Sequence, residues 1–113
     1  MSPDMLPERM EPLVRTLQES HPDTPIVFVE CVPYQQAWFL EQTWGASYKK
    51  NNEALRAEYD RLVAEGVKGL HYIPCDDLFG HDSEATVDGV HATDLGFLRM
   101  ADAIEPYLRD ILP

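Results

Sequence analysis

Two residues near the C-terminal end of this 113-residue chain have the types and spacing for acid–base chemistry: Asp88 and His91, in the stretch Glu84-Ala85-Thr86-Val87-Asp88-Gly89-Val90-His91-Ala92-Thr93-Asp94-Leu95-Gly96-Phe97. A carboxylate beside an imidazole fixes the ring tautomer and stabilises the imidazolium formed when the other ring nitrogen takes a proton from a hydroxyl nucleophile. Gly89, between the two, lets the backbone fold back so that the carboxylate reaches the ring. Spacing alone carries little weight. With ten Asp and four His in the chain, roughly one such chain in three would hold an Asp-x-x-His by chance.

The elements that must position this pair read as alternating helices and strands. Ser2 with Pro3 resembles an N-cap and first helical position, and Leu6, Met10, Leu13, Val14 and Leu17 recur at helical spacing, which predicts a helix from about Pro3 to Ser20 with a kink or late start at Pro12. Pro25 to Cys31 is a short β-branched run, as expected of a strand buried on both faces of a parallel sheet. A second helix is expected from about Tyr48 to Glu65, closed by Gly66 in a C′ position. Gly69 to Ile73 reads as a second strand. A third helix, from Thr93 or Asp94 to about Leu112, carries Leu95, Leu98, Ala101, Ile104, Leu108 and Ile111 along one side, with an irregularity at Pro106.

That order gives a right-handed βαβ unit with an extra helix in front. Two parallel strands leave long hydrogen-bonding edges and uncovered helix faces, so the chain is expected to rely on a further segment, to self-associate through its open edge, or to be marginally stable. Ligand sites in open α/β sheets lie beyond the carboxyl ends of the strands. The two long loops, 32–47 and 74–90, both leave such ends, and the first carries Tyr34, Trp38, Phe39 and Trp44, which either wall an apolar pocket or cover the sheet end.

The dyad and its flanks resemble a known family. Val87-Asp88-Gly89-Val90-His91 followed by Thr93-Asp94-Leu95-Gly96 looks like the last sequence block of the SGNH (GDSL-type) hydrolases, esterases and acylhydrolases that use a Ser-His-Asp triad. The stretches 23–30, 59–70 and 99–106 resemble the later strands and helices of the same family. The resemblance implies a partial flavodoxin-like α/β/α fold with its N-terminal half missing. It also implies a catalytic role for His91, as general base and then acid, with Asp88 orienting it during ester hydrolysis. The family's Gly-Asp-Ser turn, which carries the nucleophile, and its oxyanion-hole Gly and Asn have no counterpart here. The serines are Ser2, Ser20, Ser47 and Ser83, none in a Gly-flanked turn between strand and helix. Loss of an oxyanion donor alone removes about 3–4 kcal/mol of transition-state stabilisation. Two readings follow: the C-terminal part of a serine esterase whose Ser comes from another segment, or a non-catalytic α/β module that binds a partner through its open sheet edge.

The remaining composition narrows the partners. A net charge of −11, with no basic patch beyond Lys49-Lys50, argues against nucleic acid or an anionic membrane, and no apolar run is long enough to span a bilayer. No signal peptide is visible, but with an N-terminus that reads as truncated, export stays open. Cys31 and Cys75 each close a strand, where they form a bridge in an oxidising compartment or, more commonly, stay free thiols. The acidic loop of Asp76, Asp77, His81, Asp82, Glu84 and Asp88 lacks the alternation of a calcium loop, so neither a metal nor another cofactor is expected. His21 and His71 read as surface or strand-face residues.

Overall fold

The computed structural model describes residues 3–36 and 47–112, and its elements run α1 (Met5–Ser20), β1 (Ile26–Val29), α2 (Ser47–Ala64), β2 (Leu70–Ile73) and α3 (Asp94–Ile111). Trp38, Phe39, Trp44 and Ser2 lie outside the described residues. The two strands pair in parallel, with Ile26 opposite Leu70 and Val29 opposite Ile73. The chain is thus an α/β fold, a parallel pair flanked by helices.

One face of the pair is covered by α1 and α2. Met10 and Val14 from α1 meet Leu62 from α2 and Leu70 from β2, and Ile26, Phe28, Leu55 and Tyr59 pack around them. Alternation puts Ile26, Phe28 and Leu70 on this one face. Burying a side chain such as Leu62, which is wholly inaccessible, contributes about 1.5–3 kcal/mol. Arg61 ties the two helices together by pairing with Glu58 and Glu65 on its own helix and with Glu11 on α1.

Local signals set the helix ends. At the end of α2, Val67 N–H reaches Leu62 O at 3.1 Å and Gly66 N–H reaches Val63 O at 3.0 Å, while Gly66 takes a φ of +88°. This is the glycine-terminated cap that Gly66 predicts. The N-cap of α1 is Asp4 and not Ser2, and the helix continues unbroken through Pro12, as α3 does through Pro106.

Two expectations are corrected. The first strand stops at Val29, short of Cys31, because side chains take over the backbone groups beyond it: Asn52 bonds both N–H and C=O of Cys31, and just past the end of β2 Glu30 accepts from Cys75 N–H. The first strand is not buried on both faces. Val29 is exposed, as are Leu95 and Leu98 from the apolar side of α3; α3 lies against β2, and among the described residues β1 pairs with no strand other than β2. Among the described residues, no helix is long and apolar enough to cross a membrane.

Candidate active site

The segment between β2 and α3 is fixed at both ends. Arg99, from α3, grips Asp82 with two parallel bonds of 2.6 Å and donates to Phe79 O at 2.9 Å. The guanidinium holds the Asp82 carboxyl well below the usual carboxylate range. Further on, the chain folds into a tight antiparallel turn in which Val87 N–H donates to His91 O at 2.8 Å and Thr93 N–H to Ala85 O at 2.9 Å. Thr93 then caps α3 by accepting from Gly96 N–H at 3.1 Å. Gly96 is required here, since a Cβ would lie 2.1 Å from Ala85 O.

At the tip of that turn Asp88 and His91 meet. Asp88 Oδ2 lies 2.7 Å from His91 Nδ1, and Oδ1 accepts from the backbone N–H groups of His91 at 2.8 Å and Val90 at 3.0 Å. Gly89, at φ +90°, supplies the left-handed step that brings the carboxylate back over the following residues. The Asp88 carboxyl is pushed down to about 2, first by the His91 N–H, then by the imidazole, then by the Val90 N–H. It is therefore ionised at neutral pH. With Nδ1–H donated to Asp88, Nε2 becomes the proton acceptor. The His91 side chain is 80% exposed, and among the described residues no serine is hydrogen-bonded to it.

A second polar constellation sits at the carboxyl ends of the strands. Glu30 accepts from the Tyr72 hydroxyl at 2.5 Å and from Cys75 N–H at 3.0 Å. Burial pushes its carboxyl up, but the bonds from Tyr72 and Cys75 outweigh this and leave it below its ordinary value. Burial and then the Glu30 carboxylate push the Cys75 thiol up to about 12, so it stays protonated. Both cysteines are free, with Asn52 bonded to the Cys31 backbone and 3.4 Å from Cys75 Sγ. An open groove of about 670 Å³ is lined by Glu30, Asn52, Arg56 and Cys75 among others, but by neither Asp88 nor His91. Among the described residues, no group of three His, Cys, Asp or Glu is placed to hold a metal ion.

The sequence match covers almost all of this framework. Residues 1–109 match the model of the GDSL-like lipase/acylhydrolase family. The chain belongs to that family. A crystal structure of a Bacteroides ovatus protein described as a GDSL-like lipase superposes with a TM-score of 0.91 at 36% identity, covering 98% of this chain. The matched region is 33% of the Bacteroides chain, so this GDSL-like chain spans about a third of that relative's length. No curated protein matches it.

Asp88 and His91 were legible from their spacing taken with the family-like block around them; the residues that hold their loop were not. Arg99 with Asp82, and Thr86 with Gln35, pair across 17 and 51 positions, and nothing in either local sequence marks them.

Proposed function

We propose that this chain supplies the acid–base half of a serine ester hydrolase: His91 as general base and acid, Asp88 as the group that orients it, with the serine and the oxyanion donors contributed by a segment outside these 113 residues. The observation that carries this reading is the 2.7 Å contact between Asp88 Oδ2 and His91 Nδ1, made while Oδ1 is pinned by two backbone N–H groups. In such a site the Ser oxygen bonds to the ester carbonyl carbon and its proton passes to His91 Nε2. The imidazolium returns that proton to the departing alkoxide as the C–O bond breaks. Water then repeats the sequence on the acyl-enzyme. The substrate is an ester whose class no residue here specifies.

The edge of β1 that pairs with no strand among the described residues, and the exposed Leu95 and Leu98, favour docking of that segment along the open edge. The test is co-expression with a family segment that carries the Gly-Asp-Ser turn, followed by hydrolysis of a simple aryl ester and labelling by a fluorophosphonate. The expected result is a soluble complex whose turnover falls by at least about 10³-fold in His91→Ala and in the Ser→Ala variant of the added segment. A complex that forms but hydrolyses nothing favours the non-catalytic binding module. A monomeric chain that unfolds cooperatively and takes up no segment argues against docking at that edge.

A further inference from the structure

The loop that carries the dyad is fastened by the segment that follows β1. Gln35 donates its backbone N–H to Gly89 O at 2.8 Å. Its side-chain Oε1 accepts the Thr86 hydroxyl at 2.8 Å, and that same Thr86 oxygen accepts from Gly89 N–H at 3.1 Å. The three bonds form a closed cycle, Gly89 to Thr86 to Gln35 and back to Gly89, in which both backbone groups of Gly89 are engaged. The Gln36 side chain lies directly over Gly89, where a Cβ would come within 2.8 Å of its Cδ.

The direction of the chain at Gly89 decides where the Asp88 carboxylate points. A step into the left-handed region sends the next two N–H groups back toward Oδ1; without it, Oδ1 loses both donors and Oδ2 is free to leave the ring. Neither Gln35 nor Thr86 is hydrogen-bonded to the imidazole, yet together they hold the one residue on which the geometry turns. Building on the proposed role of the dyad, we infer that Gln35 and Thr86 are positioning residues, which clamp Gly89 and thereby keep Asp88 on His91 Nδ1 and the imidazole in its Nδ1–H tautomer.

The ring tautomer can be read directly, without any turnover. The ¹⁵N spectrum of the His91 imidazole, recorded on the whole chain at a pH where the ring is neutral, distinguishes the Nδ1–H from the Nε2–H form. The wild-type chain is expected to show Nδ1–H. Thr86→Val and Gln35→Ala should each shift the spectrum toward Nε2–H, the form that the ring takes when Asp88 no longer accepts from Nδ1, and Thr86→Ser, which keeps the hydroxyl, should restore the wild-type pattern. A melting curve taken beside each spectrum separates loss of the clamp from loss of the fold, and if Thr86→Val does not fold, Gln35→Ala decides the matter. Folded variants that keep the wild-type spectrum overturn the clamp while leaving the dyad standing. A wild-type chain already in the Nε2–H form overturns the dyad reading itself.

Discussion

Replacing Gly96 by alanine sets two effects of opposite sign against each other, and the geometry says which one wins. Alanine is the better helix former by about 1 kcal/mol, which favours the variant. The added Cβ, however, would lie 2.1 Å from Ala85 O and 3.1 Å from Ala92 Cβ. An ordinary C···O approach is about 3.3 Å, so α3 and the strand-like turn must separate by roughly 1.2 Å. The atom in the way is a backbone carbonyl that also accepts from Thr93 N–H, so no side-chain rotation relieves the clash. Overpacking costs about 1–3 kcal/mol, and a rigid backbone obstacle belongs at the upper end. The net expectation for Gly96→Ala is a loss of about 2 kcal/mol, or roughly 8 °C in Tm for a chain of this size. Gly66→Ala is the control. Its Cβ would meet nothing within 4 Å, and only the left-handed φ of +88° opposes it, so the loss should be about 1 kcal/mol. Thermal melts at one protein concentration give the two values, and backbone amide shifts locate them: Gly96→Ala should move the His91 amide, Gly66→Ala should not. A Gly96→Ala chain as stable as wild type would refute the close approach of α3 to the turn.

Two further tests address the strand ends and the dyad loop. Asn52→Ala removes the partner of both backbone groups of Cys31; it should cost about 2–3 kcal/mol, seen in chemical denaturation, with faster hydrogen exchange at Cys31. The Asp88 carboxyl, lowered from 3.8 to about 2, favours the folded loop in its ionised form. Its contribution is therefore complete above about pH 4 and lost as the pH falls toward 2, so the amide signals of Val90 and His91 should move together in a step below pH 4. In Asp88→Asn that step below pH 4 should be absent.

What the sequence made legible follows the range of the interactions. The dyad could be read because all its bonds span three residues or fewer, and the Gly66 cap because a left-handed C′ position selects its residue type. Strand length could not. The run from Pro25 to Cys31 is apolar but for Glu30, and pairing stops at Val29, where Glu30 and Asn52 satisfy backbone groups from 45 and 21 positions away. Burial failed for a related reason. The spacing of Leu95, Leu98, Ala101 and Ile104 identifies one apolar side of α3, yet periodicity contains no information on whether anything packs against it, and Leu98 remains 58% exposed. Nothing in the sequence around Gly96 marks the need for a glycine; only the approach of Ala85 O shows why no side chain fits there.

The dyad is ordered before it is enclosed, and these two properties have different sources. Order comes from within the chain: the carboxylate of Asp88 has three donors from its own turn, and the turn is held by Thr86, Gln35 and the N-cap of α3. Among the described residues, enclosure has no such source. With His91 open to water, the ion–imidazole contact is screened, and a charge developing at Nε2 would be solvated rather than directed. Preorganised groups act strongly on a transition state only where water is excluded. Val87, 78% exposed, and Leu95 stand four residues before and after His91. A segment that buries these two side chains would lower the dielectric around the imidazole in the same step that brings a nucleophile to it. For the proposed hydrolase, docking and activation are then one event: polar substitutions at Val87 and Leu95 would weaken turnover in the complex even where the contact between Asp88 and His91 is intact.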